Sequence, residues 1–215
     1  MPERTIHFER VKVVSWDVDG TLYSLPAFMA ALRWYLLRGF FSSRWLEVWA
    51  DFFGLLRFKR TMDRVRAAEG EYAIGGPVPG RDQIAVSQHR IYGAILPRLG
   101  LLPGVEGLLR WFGDRGIKQV VLSDYLTTGK LEALGVAEVF SHRYTGEQFG
   151  HLKPSHAVFL GMCADLGIKP EELLHIGDRP DTDGAAAPAL GYQVAIIGRD
   201  FETAEDLRAA LASEE

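Results

Sequence analysis

Two carboxylates stand two residues apart in Asp17-Val18-Asp19-Gly20-Thr21, directly after the β-branched run Val11–Trp16. Strand alternation puts Asp17 and Asp19 on one side, where they suit a hard divalent cation together with acid/base work. Gly20 lets the chain leave the strand sharply. The alternative is an Asp-Gly hairpin turn, but no matching antiparallel strand follows. Ser123 ends a second apolar run, Ile117–Leu122; its hydroxyl can donate to a phosphate oxygen, and Ser is equally an ordinary turn or N-cap residue. Lys153 precedes Pro154, which opens the helical pattern Pro154–Leu166. A cation there sits badly with the helix dipole unless an anion is near, although lone exposed lysines are common. The loop Gly177-Asp178-Arg179-Pro180-Asp181-Thr182-Asp183 packs three acids after the run Glu172–Ile176, as a metal site or as a solvated acidic turn.

These groups need a frame that brings segments more than 100 residues apart to one place. The runs Val11–Trp16, Ile117–Leu122, Glu172–Ile176 and Gln193–Ile197 read as buried strands, with Val139–Tyr144 as a further one. Helical patterns lie over Val105–Arg115, Leu126–Leu134, Pro154–Leu166 and Phe201–Leu211, several ending at Gly. Alternating strands and helices predict an α/β, Rossmann-like, mostly parallel sheet with helices on both faces. Such sheets bind ligands outside the C-terminal strand ends, where Asp17, Ser123 and Asp178 fall.

The roughly 100 residues between the first two strands are too many for one crossover helix. The stretch 25–97 reads as an inserted helical cap, leaving 1–24 and 98–215 as the core. Within it, Arg44–Arg66 carries Trp45, Trp49, Phe52, Leu56 and Val48, Leu55, Met62, Val65 at helical spacing. The run from Gly75 to Gly80 breaks the pattern, and Asp82–Leu96 resumes it. Residues 25–70 hold eight basic side chains against four acidic ones, a basic lid that would steer anionic substrates. The aromatics Trp34, Trp45, Trp49, Phe52 and Phe53 read first as the cap's own core. Leu25–Phe41 is apolar but short for a membrane span and carries Arg33 and Arg38, so it reads as a buried or interfacial helix.

The net charge of −4 gives no global reason to expect nucleic-acid binding. The single cysteine, Cys163, excludes an intramolecular disulfide and a multi-cysteine metal site. The first residues lack a basic start followed by an apolar run, so no signal peptide is expected. The expectation is a cytoplasmic protein, monomeric or homodimeric, without nucleic-acid or membrane partners.

DVDGT, a Ser after a hydrophobic strand, Lys-Pro, and GDRPDTD followed by AAAPALG resemble, in order, the four motifs of the haloacid dehalogenase (HAD) superfamily. The resemblance covers about 1–24 and 98–215; the insert sits where members with a helical C1 cap carry theirs. It implies a phosphatase acting on a small phosphorylated metabolite. Asp17 would attack phosphorus and form an aspartyl-phosphate. Asp19 would protonate the leaving oxygen and then activate water. Mg²⁺ would be held by Asp17, the backbone carbonyl of Asp19, and Asp178. Gly20, Thr21, Ser123, Asp124 and Lys153 would bind the phosphoryl group, Ser123 and Lys153 offsetting its charge as the transition state forms. Asp183 would orient Lys153 or a water of the metal's shell.

Asp124 departs from the family's frequent Asn and Arg179 from its frequent Ser; Asp181 reads as a surface residue. A dehalogenase would lack the second acid, which Asp19 supplies. A phosphomutase shares every core motif, and a partner-binding protein on the same scaffold is the remaining alternative. His142, His151, His156 and His175 show no zinc-site spacing.

Overall fold

The computed structural model describes residues 6–67, 72–74 and 80–213. Residues 75–79, read as the break in the cap, and Glu69, counted in its charge, lie outside these. Five strands form one sheet: β1 (Val13–Trp16), β2 (Lys118–Ser123), β3 (His142–Thr145), β4 (Leu173–Gly177) and β5 (Gln193–Ile196). Their spatial order is β3-β2-β1-β4-β5, and every pairing is parallel.

The strands read as near-continuous apolar runs because helices bury both faces. Successive side chains take opposite faces. Val14, Trp16, Val121, Leu174, Ile176 and Ala195 join one apolar cluster, while Val13, Val120, Leu122, Leu173, Val194 and Ile196 join the other. Covering the sheet are α4 (Val105–Asp114), α6 (His156–Leu166) and α8 (Ala204–Ser213). The alternation leaves two polar residues facing each other inside the sheet. Ser15 pairs in register with His175, and Ser15 Oγ lies 2.7 Å from His175 Nδ1, both fully buried.

Among the described residues the stretch read as the insert holds three helices, α1 (Leu25–Phe40), α2 (Trp45–Ala67) and α3 (Arg81–Leu99), the last running two residues past the expected boundary at 97. They pack on one another, and Phe28, Leu32, Ile91, Ile95 and Leu96 continue the core cluster that contains Trp16 and Leu109. A smaller cluster of Phe58, Met62, Ile84, Leu126 and Leu152 presses α2 and α3 onto the loops that follow β2 and β3.

Several expectations shift. Of the pattern Leu126–Leu134 only the short helix α5 (Lys130–Ala133) forms, because Gly129 adopts φ 78° and starts the helix there. Lys153 and Pro154 do not open a helix: they are joined by a cis peptide, and α6 begins at His156 with Ser155 as its N-cap. The strand over Val139–Tyr144 starts later, after a 3₁₀ turn at Ala137–Val139. The cap aromatics are only in part a core: Trp34, Trp45 and Phe53 are 66%, 47% and 58% exposed, while Trp49 and Phe52 are half-buried, in ring contact, and Phe52 packs on the main core. An amphipathic helix buries only one stripe, and in α1 that stripe is Phe28, Leu32 and Gly39. Leu25–Phe41 is therefore a half-covered helix rather than a buried one. Among the described residues no helix is long and apolar enough to cross a membrane.

Candidate active site

The C-terminal ends of β1, β2 and β4 and the loop after β3 bring Asp17, Ser123, Lys153, Asp178 and Asp183 into one neighbourhood. Asp17 is held by its backbone N–H, which donates to the Ile176 carbonyl at 2.9 Å. Its Oδ1 accepts from Lys153 Nζ at 2.7 Å, and its Oδ2 from Thr21 Oγ1 at 3.4 Å. Lys153 is only 2% exposed. The same Nζ donates to Asp183 Oδ1 at 2.6 Å and to the Leu122 carbonyl at 3.3 Å. A lysine buried this deeply persists as a charge because two carboxylates flank it. Burial works against its charge, but Asp17 and Asp183 outweigh that and raise its pKa.

Asp183 anchors the loop after β4. Its Oδ2 accepts from the Arg179 N–H at 3.0 Å, and its Oδ1 lies 3.3 Å from His175 Nε2. Its backbone carbonyl accepts from the buried Tyr192 hydroxyl at 2.7 Å. Burial opposes ionisation, yet Lys153 and His175 prevail and hold this carboxyl well below the usual range. The other two acids go the opposite way. Burial pushes Asp17 up to about 7, with Lys153 only partly offsetting it. Burial and Asp183 push Asp178 up to about 6.

This imbalance fits a cation. Carboxylate oxygens of Asp17, Asp178 and Asp183 lie within 4.8 Å of one another. Among the described residues Asp178 Oδ1 is buried with no hydrogen-bond partner. All-oxygen donors of this kind suit a hard divalent ion such as Mg²⁺. Gly20, at φ 98°, lies so near that a Cβ there would overlap Asp178 Oδ2. We expect Gly20→Ala to lower stability by more than about 1 kcal/mol, because Ala fits φ > 0 poorly, and to weaken divalent-ion binding by displacing Asp178. Thermal denaturation with and without Mg²⁺ checks this; an unchanged Tm and an unchanged shift on adding Mg²⁺ would refute it.

Ser123 is buried, and its Oγ accepts from the Tyr125 N–H at 3.2 Å, which leaves the hydroxyl hydrogen free to donate elsewhere. Asp124 Oδ1 accepts from the Lys153 backbone N–H at 2.7 Å, which fixes this carboxylate beside that lysine. Asp181 is a surface residue, 66% exposed in its side chain and paired with Arg179 at 2.6 Å.

Asp19 stands apart from the acid cluster. Lys130 Nζ donates to both of its side-chain oxygens at 2.6 Å, and the Tyr23 hydroxyl donates to Oδ1. Sequence reasoning missed Lys130 and gave His175 no role. Lys130 begins a helix, the criterion that singled out Lys153, but reading Leu126–Leu134 as one helix hid that start. His175 and Ser15 are polar residues inside buried apolar strands, and that signal was available in the sequence.

A family model for haloacid dehalogenase-like hydrolases matches residues 11–191. The chain is 30% identical over 215 residues to a phosphoglycolate phosphatase of Chromobacterium violaceum, covering 96% of this chain and 93% of that one. It is 26% identical over 209 residues to a ribulose-1,5-bisphosphate 5-phosphatase of Halopiger xanaduensis, covering 88% and 86%. Its fold superposes on the HAD-hydrolase YfnB from Bacillus subtilis bound to magnesium, with a TM-score of 0.67 at 16% identity, over 94% of this chain and 99% of that one. The chain belongs to the haloacid dehalogenase-like hydrolases. Within that family it is a HAD-like phosphatase, as these curated relatives are.

Proposed function

We propose that this protein is a Mg²⁺-dependent phosphoric monoester hydrolase working through an aspartyl-phosphate on Asp17. The observation that carries the reading is the pairing of Asp17 with the buried Lys153 at 2.7 Å, beside the unpartnered Asp178 Oδ1. The carboxylates of Asp17 and Asp178 and the backbone carbonyl of Asp19 would hold the ion. When bound, it neutralises the clustered acids and polarises a phosphoryl oxygen.

An Asp17 oxygen attacks phosphorus as the ester P–O bond breaks, and Asp19 gives its proton to the departing oxygen. Asp19 then takes a proton from the water that attacks the phosphoryl group, the Asp17–phosphorus bond breaks, and inorganic phosphate leaves. Lys153 and the Ser123 hydroxyl hold the phosphoryl oxygens through both steps. Asp183 and His175 position Lys153.

The substrate class is a small phosphorylated metabolite, supported by relatives that act on phosphoglycolate and ribulose 1,5-bisphosphate. Exposed Arg57, Lys59, Arg60 and Arg64 on α2 support attraction of anions. The single, buried cysteine fits a reducing compartment such as the cytoplasm, and the net charge of −4 gives no reason to expect nucleic-acid partners.

A panel of phosphorylated metabolites, including phosphoglycolate, ribulose 1,5-bisphosphate and p-nitrophenyl phosphate, tests this directly. We expect hydrolysis with Mg²⁺ and its loss on chelation. Turnover undiminished in excess chelator would remove the metal from the mechanism, and release of phosphate from no ester would remove the reaction.

A further inference from the structure

Lys130 is the second fully buried lysine of the site, its side chain 1% exposed, and the chemistry above gives it no task. Its Nζ reaches both Asp19 oxygens at 2.6 Å from 111 residues away in sequence. Tyr23, at the exit from the first motif, donates its hydroxyl to the same carboxylate. On its other side the ammonium lies 4.7 Å from the centroid of the Tyr92 ring, on α3. The segment carrying Lys130 is moulded to that helix. Gln88 donates its amide to the Leu126 carbonyl, and Gly129 sits so near His89 that a Cβ would meet it.

Buried ion pairs are poor devices for stability, since desolvation consumes most of the attraction. They are good devices for fixing geometry. Each carboxylate oxygen has two lone pairs. An ammonium that takes one from each oxygen holds the plane of the carboxyl group; with Tyr23 on the second pair of Oδ1, the pair left for a proton in transit is on Oδ2.

We propose that Lys130 is the positioning residue for Asp19: braced against α3 of the cap, it holds the Asp19 carboxyl where the leaving oxygen of a phosphate ester departs. This rests on the phosphatase reading. In the step it serves, the Asp19 O–H bond breaks and its proton bonds to the ester oxygen. That oxygen leaves with the electron pair of the P–O bond as Asp17 bonds to phosphorus. In the second step the same carboxylate, in the same place, takes a proton from water. α3 therefore connects the position of the cap to the proton donor.

Help from a general acid matters in proportion to how badly the leaving group departs. Lys130→Met and Lys130→Arg should be assayed alone and with Asp19→Asn, on p-nitrophenyl phosphate and on the alkyl phosphate the wild type turns over fastest, phosphoglycolate being tried first. We expect Lys130→Met to lose about 10²-fold in kcat/KM, which reads only transfer of the phosphoryl group to Asp17, on the alkyl ester, within the usual span for general acid–base help. On the aryl ester, whose leaving group departs as a stabilised anion, the loss in kcat/KM stays under about tenfold. Lys130→Arg recovers part of the alkyl-ester loss. With Asp19→Asn already present, Lys130→Met costs less than about threefold, because two changes acting through one group do not add.

Equal losses in kcat/KM on both esters in a folded variant overturn the inference, as does a full second loss in the Asp19→Asn background. Should Lys130→Met alone fail to fold, the double variant leaves neither charge unpaired and is compared with Asp19→Asn by the same criterion. A wild type that hydrolyses neither ester overturns the phosphatase reading and this inference with it; the other two results overturn this inference alone.

Discussion

Asp17→Asn abolishes turnover of every ester the wild type hydrolyses, by about 10⁴-fold or more, as expected when the nucleophile itself is removed. An amide keeps the shape of the carboxyl and its backbone bond to Ile176, so the fold persists. Lys153 keeps Asp183 as its counter-ion, and at Asp17 burial outweighs the pairing with Lys153, so the same change raises the stability of the metal-free protein at neutral and alkaline pH. Burial lifts the folded-state pKa of Asp17 to about 7 from an ordinary 3.8. A carboxyl with a raised folded pKa costs nothing below its unfolded pKa, where both states are protonated. The cost grows as pH rises through that window and is complete above about 7. Asparagine avoids it. The difference in Tm should therefore vanish near pH 4 and be widest above pH 7, without metal. Mg²⁺ should reverse the order, since it stabilises the protein that binds it more tightly. Thermal melts across pH, with and without Mg²⁺, check both halves. A less stable Asp17→Asn in metal-free buffer at pH 8 would show that the carboxylate is stabilised where it stands.

The parallel sheet and the ends of β1, β2 and β4 were legible because a buried strand is a short apolar run and a site residue interrupts it. Asp17, Ser123 and Asp178 stand where Val11–Trp16, Ile117–Leu122 and Glu172–Ile176 stop. Lys153 was legible from its neighbour Pro154, though for an incomplete reason, since α6 starts two residues beyond that proline. What escaped depends on partners distant in sequence. Lys130 gains its meaning from Asp19 and Tyr92, and His175 from Ser15 across the sheet and Asp183 beyond the strand. The contact of Asp124 with the Lys153 backbone N–H, 29 residues away, likewise came only with the fold. Periodicity gives a helix its apolar stripe but does not say what covers it, so Trp34 and Phe53 read as core and stand exposed.

Lys153→Met should damage folding as well as catalysis. From sequence alone the lysine reads as working on phosphoryl oxygens rather than in packing, which predicts a variant that loses more catalysis than folding. Its burial says otherwise. The side chain is 2% exposed and bonded to Asp17 and to Asp183, itself 1% exposed. Methionine fills a similar volume but leaves two carboxylates facing each other without a cation. Removing one partner of a buried pair costs about 3–5 kcal/mol. The loss should depend on pH in a defined direction. Lys153 helps hold the folded-state pKa of Asp183 below its ordinary value. A carboxylate depressed in this way lends stability above its unfolded pKa and loses it as pH falls through the folded one. The gap between variant and wild type is therefore widest at neutral pH and narrows on acidification, as the stranded carboxylates protonate. Adding Asp183→Asn to Lys153→Met removes one stranded charge and should recover part of the stability, but none of the turnover, since nothing then holds the phosphoryl oxygens in place of the ammonium. Denaturant unfolding at several pH values, beside specific activity, reads both effects. A Lys153→Met protein as stable as wild type at pH 7 would mean that the buried cation contributes nothing to the fold, and the lysine would return to a purely catalytic role.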